Sequence, residues 1–501
     1  MDTIPTRCVP RNFAAEKYQE ILHKRSPEEL STLAQIKRLL ERHDADPRFR
    51  EALAQSADAP QRVAESYGIR IDMGQAPPLL EAGSNQIRLP EEARRWPLAR
   101  LWDDYLADLH ECWLLLRRAG ECAGVNPCFD AWRQRQARRC NSELGPVSAA
   151  SITHPILAFE LSAGCSIGCW FCGVSAGRLQ GNFRYTGENA QLWRSILEQA
   201  VEHFGSAAQA GFCFWATDPS DNPDYPKFIE DYYLVTGSLP HTTTAAPLRD
   251  PDFTRAVLRL AHRYHCTNTR FSILTLKIFN AVHAAFTAQE LLSVGLVLQN
   301  RESLRPVKAV AGRAKERFEK LGDKPARTAA FRVDQVTIAC VSGFLINMVN
   351  RTVQLTTPTR AGERWPLGYR VYGERRFETA KDFRAALEDL MAVHMQKEIA
   401  RGDVLSFRDD LGYRRTPEGF ELGNAHGQSA LGGFAGAGDL GDLIHEGNRT
   451  AGEIQAALMR AGADVWVVAD TLQKLFQAGL LNEDPKGGGI GSKAPMMAPV
   501  A

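Results

Sequence analysis

Three cysteines carry the sharpest chemical signal in this chain: Cys165-Ser-Ile-Gly-Cys169-Trp-Phe-Cys172. Thiolates are soft ligands, and three on one short loop suit three irons of a cubane iron–sulfur cluster. The fourth iron then stays open to a small molecule. Structural zinc asks for four protein ligands, and no fourth Cys or His lies nearby in sequence. A simple electron-carrying cluster is the other alternative. The chain holds 11 cysteines in all. An odd number fits poorly with a closed disulfide framework, so metal binding or thiol chemistry is the better explanation, with some cysteines buried as small hydrophobes. Gly164, Gly168 and Gly173 would let backbone approach a cluster.

The elements around the triplet agree with that placement. The run PILAFELSAG reads as a strand, and the cysteines follow it directly. They therefore sit at a strand's carboxyl end, where α/β enzymes hold their cofactors. Strand-like and helical runs then alternate: ENAQLWRSILEQAVEHFG, AGFCFWATDP, KFIEDYYLVTG, TTTAA, DPDFTRAVLRLAHRYH, TRFSILTL, FNAVHAAFTAQELLSV, GLVLQN, KAVAGRAKERFEKLG and QVTIACVSGFLI. Repeated βα units imply parallel strands with right-handed crossovers. About six strands are too few for an eight-fold barrel and enough for a partial one. The expected class is α/β, a partial (β/α)6-type barrel over residues 151–350 with a mixed extension over 351–422.

Residues 1–150 read as helical, with a cap-like Ser26 before SPEELSTLAQIKRLLERHD. The basic run DAWRQRQARRCN reads as a solvated helix face, or else as a contact for an acidic peptide or phosphate. TPEGFEL suggests a hairpin. The glycine-rich 423–441 stretch reads as a linker, 442–484 as a small helical or winged-helix-like unit, and 485–501 as a disordered tail.

The triplet, with Phe171 before its last cysteine, resembles the signature of the radical S-adenosylmethionine superfamily. That resemblance implies a 4Fe–4S cluster on Cys165, Cys169 and Cys172, S-adenosylmethionine on the open iron, and Phe171 near the adenine. The superfamily usually places a Gly-Gly-Glu stretch after the second strand; here Phe214-Trp215-Ala216-Thr217-Asp218-Pro219 stands there instead. Trp215, Thr217 and Asp218 are the implied cofactor contacts. Asp218 or Asp221 reads alternatively as a helix cap. Ser272 is a candidate ribose contact, or else a satisfied strand serine.

Several separated strings are similar to a narrower group: GCSIGCWFCGVSAG, FWATDPSDNPDYPKF, TTTAAPLRD, TRFSILT, ACVSGFLINMVNRTV and ERWPLGYRV. They resemble the proteusin-type peptide epimerases, which convert L-residues to D-residues in ribosomally made peptides. The likeness covers roughly residues 150–395. It implies a precursor peptide as substrate, an electron donor such as flavodoxin or ferredoxin, and a thiol that returns hydrogen to a Cα radical. Downstream of the triplet the thiols are Cys213, Cys266 and Cys340. Cys340, expected to end a core strand before a glycine turn, is the first choice and Cys213 the second. Peptide methylases and thioether formers remain as alternative enzymes, and a non-catalytic iron–sulfur module as the non-enzyme reading. The thioether formers usually carry further clusters, each needing about four ligands, which three scattered cysteines cannot supply. Cys112, Cys122, Cys128 and Cys140 have wide, irregular gaps for a second cluster. The 442–484 unit also resembles leader-peptide recognition elements, which hold a peptide as an added strand.

Composition excludes other classes. Sixty Lys and Arg against 59 Asp and Glu leave a net charge of +1, which gives no bulk attraction to nucleic acid or acidic membranes. No apolar run approaches the roughly 20 residues a membrane helix needs. MDTIPTRCVPRNFAAEKYQE lacks a signal-peptide core. The expectation is a soluble cytoplasmic protein.

Overall fold

The computed structural model describes residues 9–82, 90–121, 124–146, 149, 155–267, 269–304, 311–321 and 337–484. The expected tail at 485–501 and Cys122 lie outside them. The chain is mixed α/β with several small sheets, none closed.

The N-terminal helices Phe13–His23, Pro27–Ala45, Pro47–Gln55 and Pro97–Ala119 share a core of Leu33, Ile36, Leu39, Phe49 and Trp102. Ser26 and Glu29 form a reciprocal capping box, with Glu29 N donating to Ser26 Oγ at 3.2 Å and Ser26 N to Glu29 Oε2 at 2.8 Å. Helix Pro127–Leu144 departs from that group and sends Phe129 and Trp132 into the main core. The basic run on it is no solvated face: Arg135 and Arg139 are each 1 % exposed. Arg135 pairs with Glu483, and Arg139 with Glu143 and the Pro358 carbonyl. Guanidinium groups that are buried need such partners, and the distant chain ends that provide them are invisible to local sequence.

The strands are β1 (Leu157–Glu160), β2 (Ser162–Ala163), β3 (Gly181–Asn182), β4 (Thr242–Thr244), β5 (Thr269–Ile273), β6 (Val294–Leu298), β7 (Gly343–Asn347), β8 (Thr352–Pro358) and β9 (Tyr369–Arg376). β4, β5 and β6 form one parallel ladder, while β1 pairs parallel with β7, which continues antiparallel into β8 and β9. Parallel bridges Ala158↔Phe212 and Phe212↔His241 join the two sheets. The parallel order is therefore β7–β1–Phe212–β4–β5–β6, open at β6 and continued antiparallel beyond β7. Helices Gly187–Phe204, Tyr225–Thr236, Pro251–Arg263 and Leu276–Ala285 alternate with these strands.

Two expected strands shrink. AGFCFWATDP contributes only the bridges at Phe212, because the 3-10 turns Gly205–Ala210 and Pro219–Asp221 bend the chain on either side. QVTIACVSGFLI pairs only from Gly343; before it, Thr337 Oγ1 bonds to Gly368 O and receives Ala339 N, holding a turn. Cys340 thus precedes its strand rather than ending it.

Side chains alternate across a strand, and register partners point the same way. Leu157, Phe159, Phe344 and Ile346 face an outer core with Trp193, Phe204, Phe228 and Tyr232. Ala158, Phe212 and Leu345 face the opposite, inner side with Phe214, Trp215 and Cys340. By the same parity Glu160, His241, Arg270 and Ser272 belong to the inner side.

The C-terminal unit begins earlier than expected. It holds β10 (Val404–Leu405), the meander β11 (Gly412–Thr416), β12 (Gly419–Asn424) and β13 (Gly427–Gly432), helix Ala437–Glu446, β14 (Arg449–Thr450), and helices Ala451–Arg460 and Val465–Gln477. TPEGFEL turns the β11–β12 hairpin as anticipated. The supposed linker 423–441 carries β13 and the start of a helix: its glycines permit close strand approach rather than slack. A Cβ on Gly432 would meet Glu418 O at 2.3 Å. Phe420, Leu440, Ile454 and Leu472 close this unit's core.

Candidate functional site

The cysteine loop leaves the sheet where β1 ends. β2 pairs antiparallel with β3, and Cys165 N donates to Gly177 O at 2.9 Å, so the loop's two ends are stitched together. Gly164 makes this possible. Its φ is +80°, and a Cβ there would lie 2.1 Å from Arg178 O. The far side is tied to helix Gly312–Leu321, whose Arg313 N donates to Cys172 O at 3.1 Å and to Ser175 Oγ at 2.9 Å. Trp170 and Phe171 meet edge to face at 5.1 Å, with the Arg317 guanidinium 4.7 Å over Trp170.

Cys165, Cys169 and Cys172 are all free and partly exposed. Backbone N–H groups point at two of the sulfurs: Ile167 N to Cys165 Sγ and Ala176 N to Cys172 Sγ, each at 3.4 Å. Such donors favour the thiolate. Burial and then the charges of Cys172 and Cys165 push the Cys169 thiol up to about 11. A bound cation would reverse that cost at Cys169. Among the described residues no three His, Cys, Asp or Glu side chains already stand together as a ligand set. Three free, partly exposed thiols on one short loop are nonetheless the soft donor set that a three-thiolate site needs.

The loop rests on a polar latch. Asp221, 7 % exposed, accepts Ser166 N at 2.9 Å, Ser166 Oγ, and Arg249 Nη1 at 2.7 Å. Arg249 Nη2 reaches Ser166 Oγ at 2.7 Å.

The second loop lies alongside. Glu160, buried at the end of β1, accepts Ala216 N and Asn347 Nδ2, both at 2.8 Å. Burial raises its pKa, and those two bonds act against the rise. Asp218 is fully engaged: its carboxylate takes Ser220 N at 2.9 Å, Ser220 Oγ at 2.7 Å, Thr244 Oγ1 at 2.8 Å and Ala245 N at 2.7 Å. It caps a 3-10 turn, the alternative weighed for it from sequence. Thr217 Oγ1 and Trp215 Nε1 on this loop are both buried without a hydrogen-bond partner. Trp215 stacks against Phe212 and meets Tyr369 edge to face at 5.5 Å. Ser272 stands partly exposed on the inner side of β5.

The remaining cysteines sort by face. Cys213 is 1 % exposed in the outer core, and burial raises its pKa well above 9. Cys266 is buried against Leu239 O. Cys340 alone of these three packs with the inner cluster and stays partly exposed. Burial pushes its pKa up to about 12, with Arg270 acting in the opposite sense. Cys112 and Cys140 are buried on different helices, and Cys128 is partly exposed on the helix that carries Cys140.

Sequence reasoning missed Glu160, Ser166, Arg249, His241 and Arg270. One signal was available: Glu160 is a lone carboxylate in the apolar run ahead of the triplet. Burial and Arg270 lower the His241 pKa to about 3.

A mixed α/β chain with a free three-thiol loop at the carboxyl end of its first parallel strand is what fold and site define. It is 44 % identical over 472 residues, 94 % of this chain and 91 % of the other, to the uncharacterized protein y4wI of Sinorhizobium fredii (strain NBRC 101917 / NGR234). The chain belongs to the y4wI family. The family description "Protein y4wI C-terminal domain" matches residues 405–479, within the unit that the fold delimits. No solved structure matches the chain.

Among the described residues no helix is long and apolar enough to cross a membrane.

Proposed function

We propose that this protein is a radical S-adenosylmethionine enzyme that inverts L-residues to D-residues in a ribosomally made precursor peptide. The observation that carries the reading is the sorting of cysteines: a free three-thiol loop after β1, and Cys340 as the downstream thiol that packs with the inner cluster rather than the outer core. The open parallel order β7–β1–Phe212–β4–β5–β6, with helices between its strands in sequence, supports a partial barrel whose inner side receives the peptide.

A 4Fe–4S cluster on Cys165, Cys169 and Cys172, with S-adenosylmethionine and an electron donor such as flavodoxin or ferredoxin, would supply a 5′-deoxyadenosyl radical. Phe171, Trp215 and the hydroxyl of Thr217 would hold the bound molecule, while Ser272 stands on the inner side of β5. Asp218 acts through the backbone it fixes. Once a Cα–H bond of the peptide is broken homolytically, the carbon is planar and its second face is open. Cys340 delivers its S–H hydrogen to that face, forming the new Cα–H bond and leaving a thiyl radical. One electron from the donor and one proton from solvent restore the thiol. Its raised pKa keeps Cys340 in the S–H form that this step needs. The aromatic wall of Phe212, Phe214 and Trp215 excludes water. The C-terminal unit, with β13 exposed along an edge, is the part assigned to hold the leader.

The test is mass spectrometry of a candidate precursor peptide treated with reduced, anaerobically reconstituted protein and S-adenosylmethionine in heavy water. One deuteron gained at Cα per D-residue supports the proposal, and Cys340→Ala should cleave cofactor without inverting residues. A methyl gain or loss of hydrogens would replace epimerisation by another peptide modification. No deoxyadenosine from a loaded, reduced protein would remove the radical reading itself.

A further inference from the structure

Asp221 lies outside the triplet and outside the loop segment expected to touch the cofactor, yet three donors from two separate segments converge on its carboxylate. Its Oδ2 accepts Ser166 N at 2.9 Å, while Oδ1 accepts Ser166 Oγ and Arg249 Nη1 at 2.7 Å. Arg249 also reaches Ser166 Oγ at 2.7 Å, closing a triangle of hydrogen bonds. The Asp221 side chain is 1 % exposed and that of Arg249 40 %. The Asp221 carbonyl in turn accepts Asn182 Nδ2 at 2.8 Å, which ties the same turn to β3.

Ser166 is the residue after the first cysteine. Holding both its N–H and its hydroxyl fixes the peptide plane that leaves Cys165, and hence the direction in which that thiol can point. Charge-assisted hydrogen bonds to a buried carboxylate are the stronger ones. The latch holds the entry of the loop at Ser166, while Arg313 N binds its exit at Cys172 O.

We infer that Asp221, with Arg249, is the positioning group for the three-thiolate site: it preorganises Cys165 for metal binding and tunes the bound cluster through Ser166. This rests on the cluster reading above. Partners that orient a ligand commonly change metal affinity about 10–100-fold when removed.

The experiment compares wild type, Asp221→Asn, Arg249→Gln and a control, Asp224→Asn. Asp224 binds Arg184 and Tyr185 N, away from the loop. Each protein is reconstituted anaerobically with iron and sulfide. Iron per chain, cluster loss to a chelator, and the electron paramagnetic resonance spectrum and midpoint potential of the reduced cluster are measured, with circular dichroism reporting the fold. The expected result is about 10-fold or greater weakening of iron retention in Asp221→Asn, a smaller loss in Arg249→Gln, shifted spectrum and potential in both, and an unchanged control. Arg249→Gln, at a half-exposed position, decides the matter if Asp221→Asn does not fold. A loaded wild type with variants of equal retention, spectrum and potential overturns the latch and leaves the cluster reading standing. A wild type that takes up no iron overturns both.

Discussion

On its outer side the parallel ladder presents Leu157, Phe159, Phe344 and Ile346 to helices that return Trp193, Phe204, Phe228 and Tyr232. On its inner side the alternate positions are Ala158, Glu160, Phe212, His241, Arg270 and Ser272. The outer face is dry and aromatic: Phe159 meets Trp193 edge to face at 4.9 Å, and Trp193 Nε1 donates to Phe228 O at 3.0 Å. The inner face buries a carboxylate and an imidazole, groups that stabilise a fold poorly. One set of strands thus separates an apolar face from a polar one by side-chain parity.

The largest effect belongs to the cysteine loop. Replacing Cys165, Cys169 and Cys172 together by Ala should abolish iron uptake completely while the thermal midpoint moves little, because all three side chains are partly exposed. Iron analysis beside calorimetry checks this. Residual stoichiometric iron would place the metal elsewhere in the chain.

Next comes the outer face. Trp193→Ala removes a fully buried indole and its hydrogen bond, and should cost about 3–5 kcal/mol in denaturant unfolding. Iron per folded chain should stay at the wild-type level. A loss of cluster in folded material would mean that the two faces are coupled through the sheet.

Glu160 gives a pH signature. Burial raises its pKa, so the folded state keeps the proton to higher pH than the unfolded chain does. Its contribution to stability is complete below the ordinary carboxyl value and declines as pH rises from there through the raised value. Glu160→Gln cannot ionise and escapes that decline. The variant should therefore gain on wild type across that window in urea titrations, whatever the roughly 1–3 kcal/mol cost of disturbing the bonds to Ala216 and Asn347. Parallel stability profiles for the two proteins would show that the carboxyl is not held protonated.

The triplet, β1, β5, β6, the helix ending at Gly237 and the Ser26 cap were legible in sequence because each depends on local spacing, period or capping. The elements that were not legible depend on remote partners. Arg135 looks like surface charge until Glu483 closes on it, 348 residues away. Residues 423–441 look slack until β12 pairs with β13. The Phe212 segment has strand-like residues but only single bridges, because flanking 3-10 turns leave no room for a longer ladder. Within the site, Asp218 was legible as a cap, whereas the Ser166–Asp221–Arg249 latch joins segments 55 and 28 residues apart and carries no spacing signal.

The smallest effects discriminate best between two cysteines. Cys213 and Cys340 are both buried enough for their thiols to resist ionisation, so pKa does not separate them. Parity does, because Cys213 joins Phe159 and Trp193 in the outer core, while Cys340 packs with Phe214 and Trp215. Cys213→Ala should therefore cost about 1–2 kcal/mol of stability from the lost sulfur, and leave deuterium incorporation into peptide unchanged. Cys340→Ala should cost less, since its site is partly open, yet stop inversion while deoxyadenosine is still released. If the two variants exchange these behaviours, the hydrogen returns from the outer side of the sheet and the face assignment is reversed. If both retain inversion, the returning hydrogen comes from another group on the inner side.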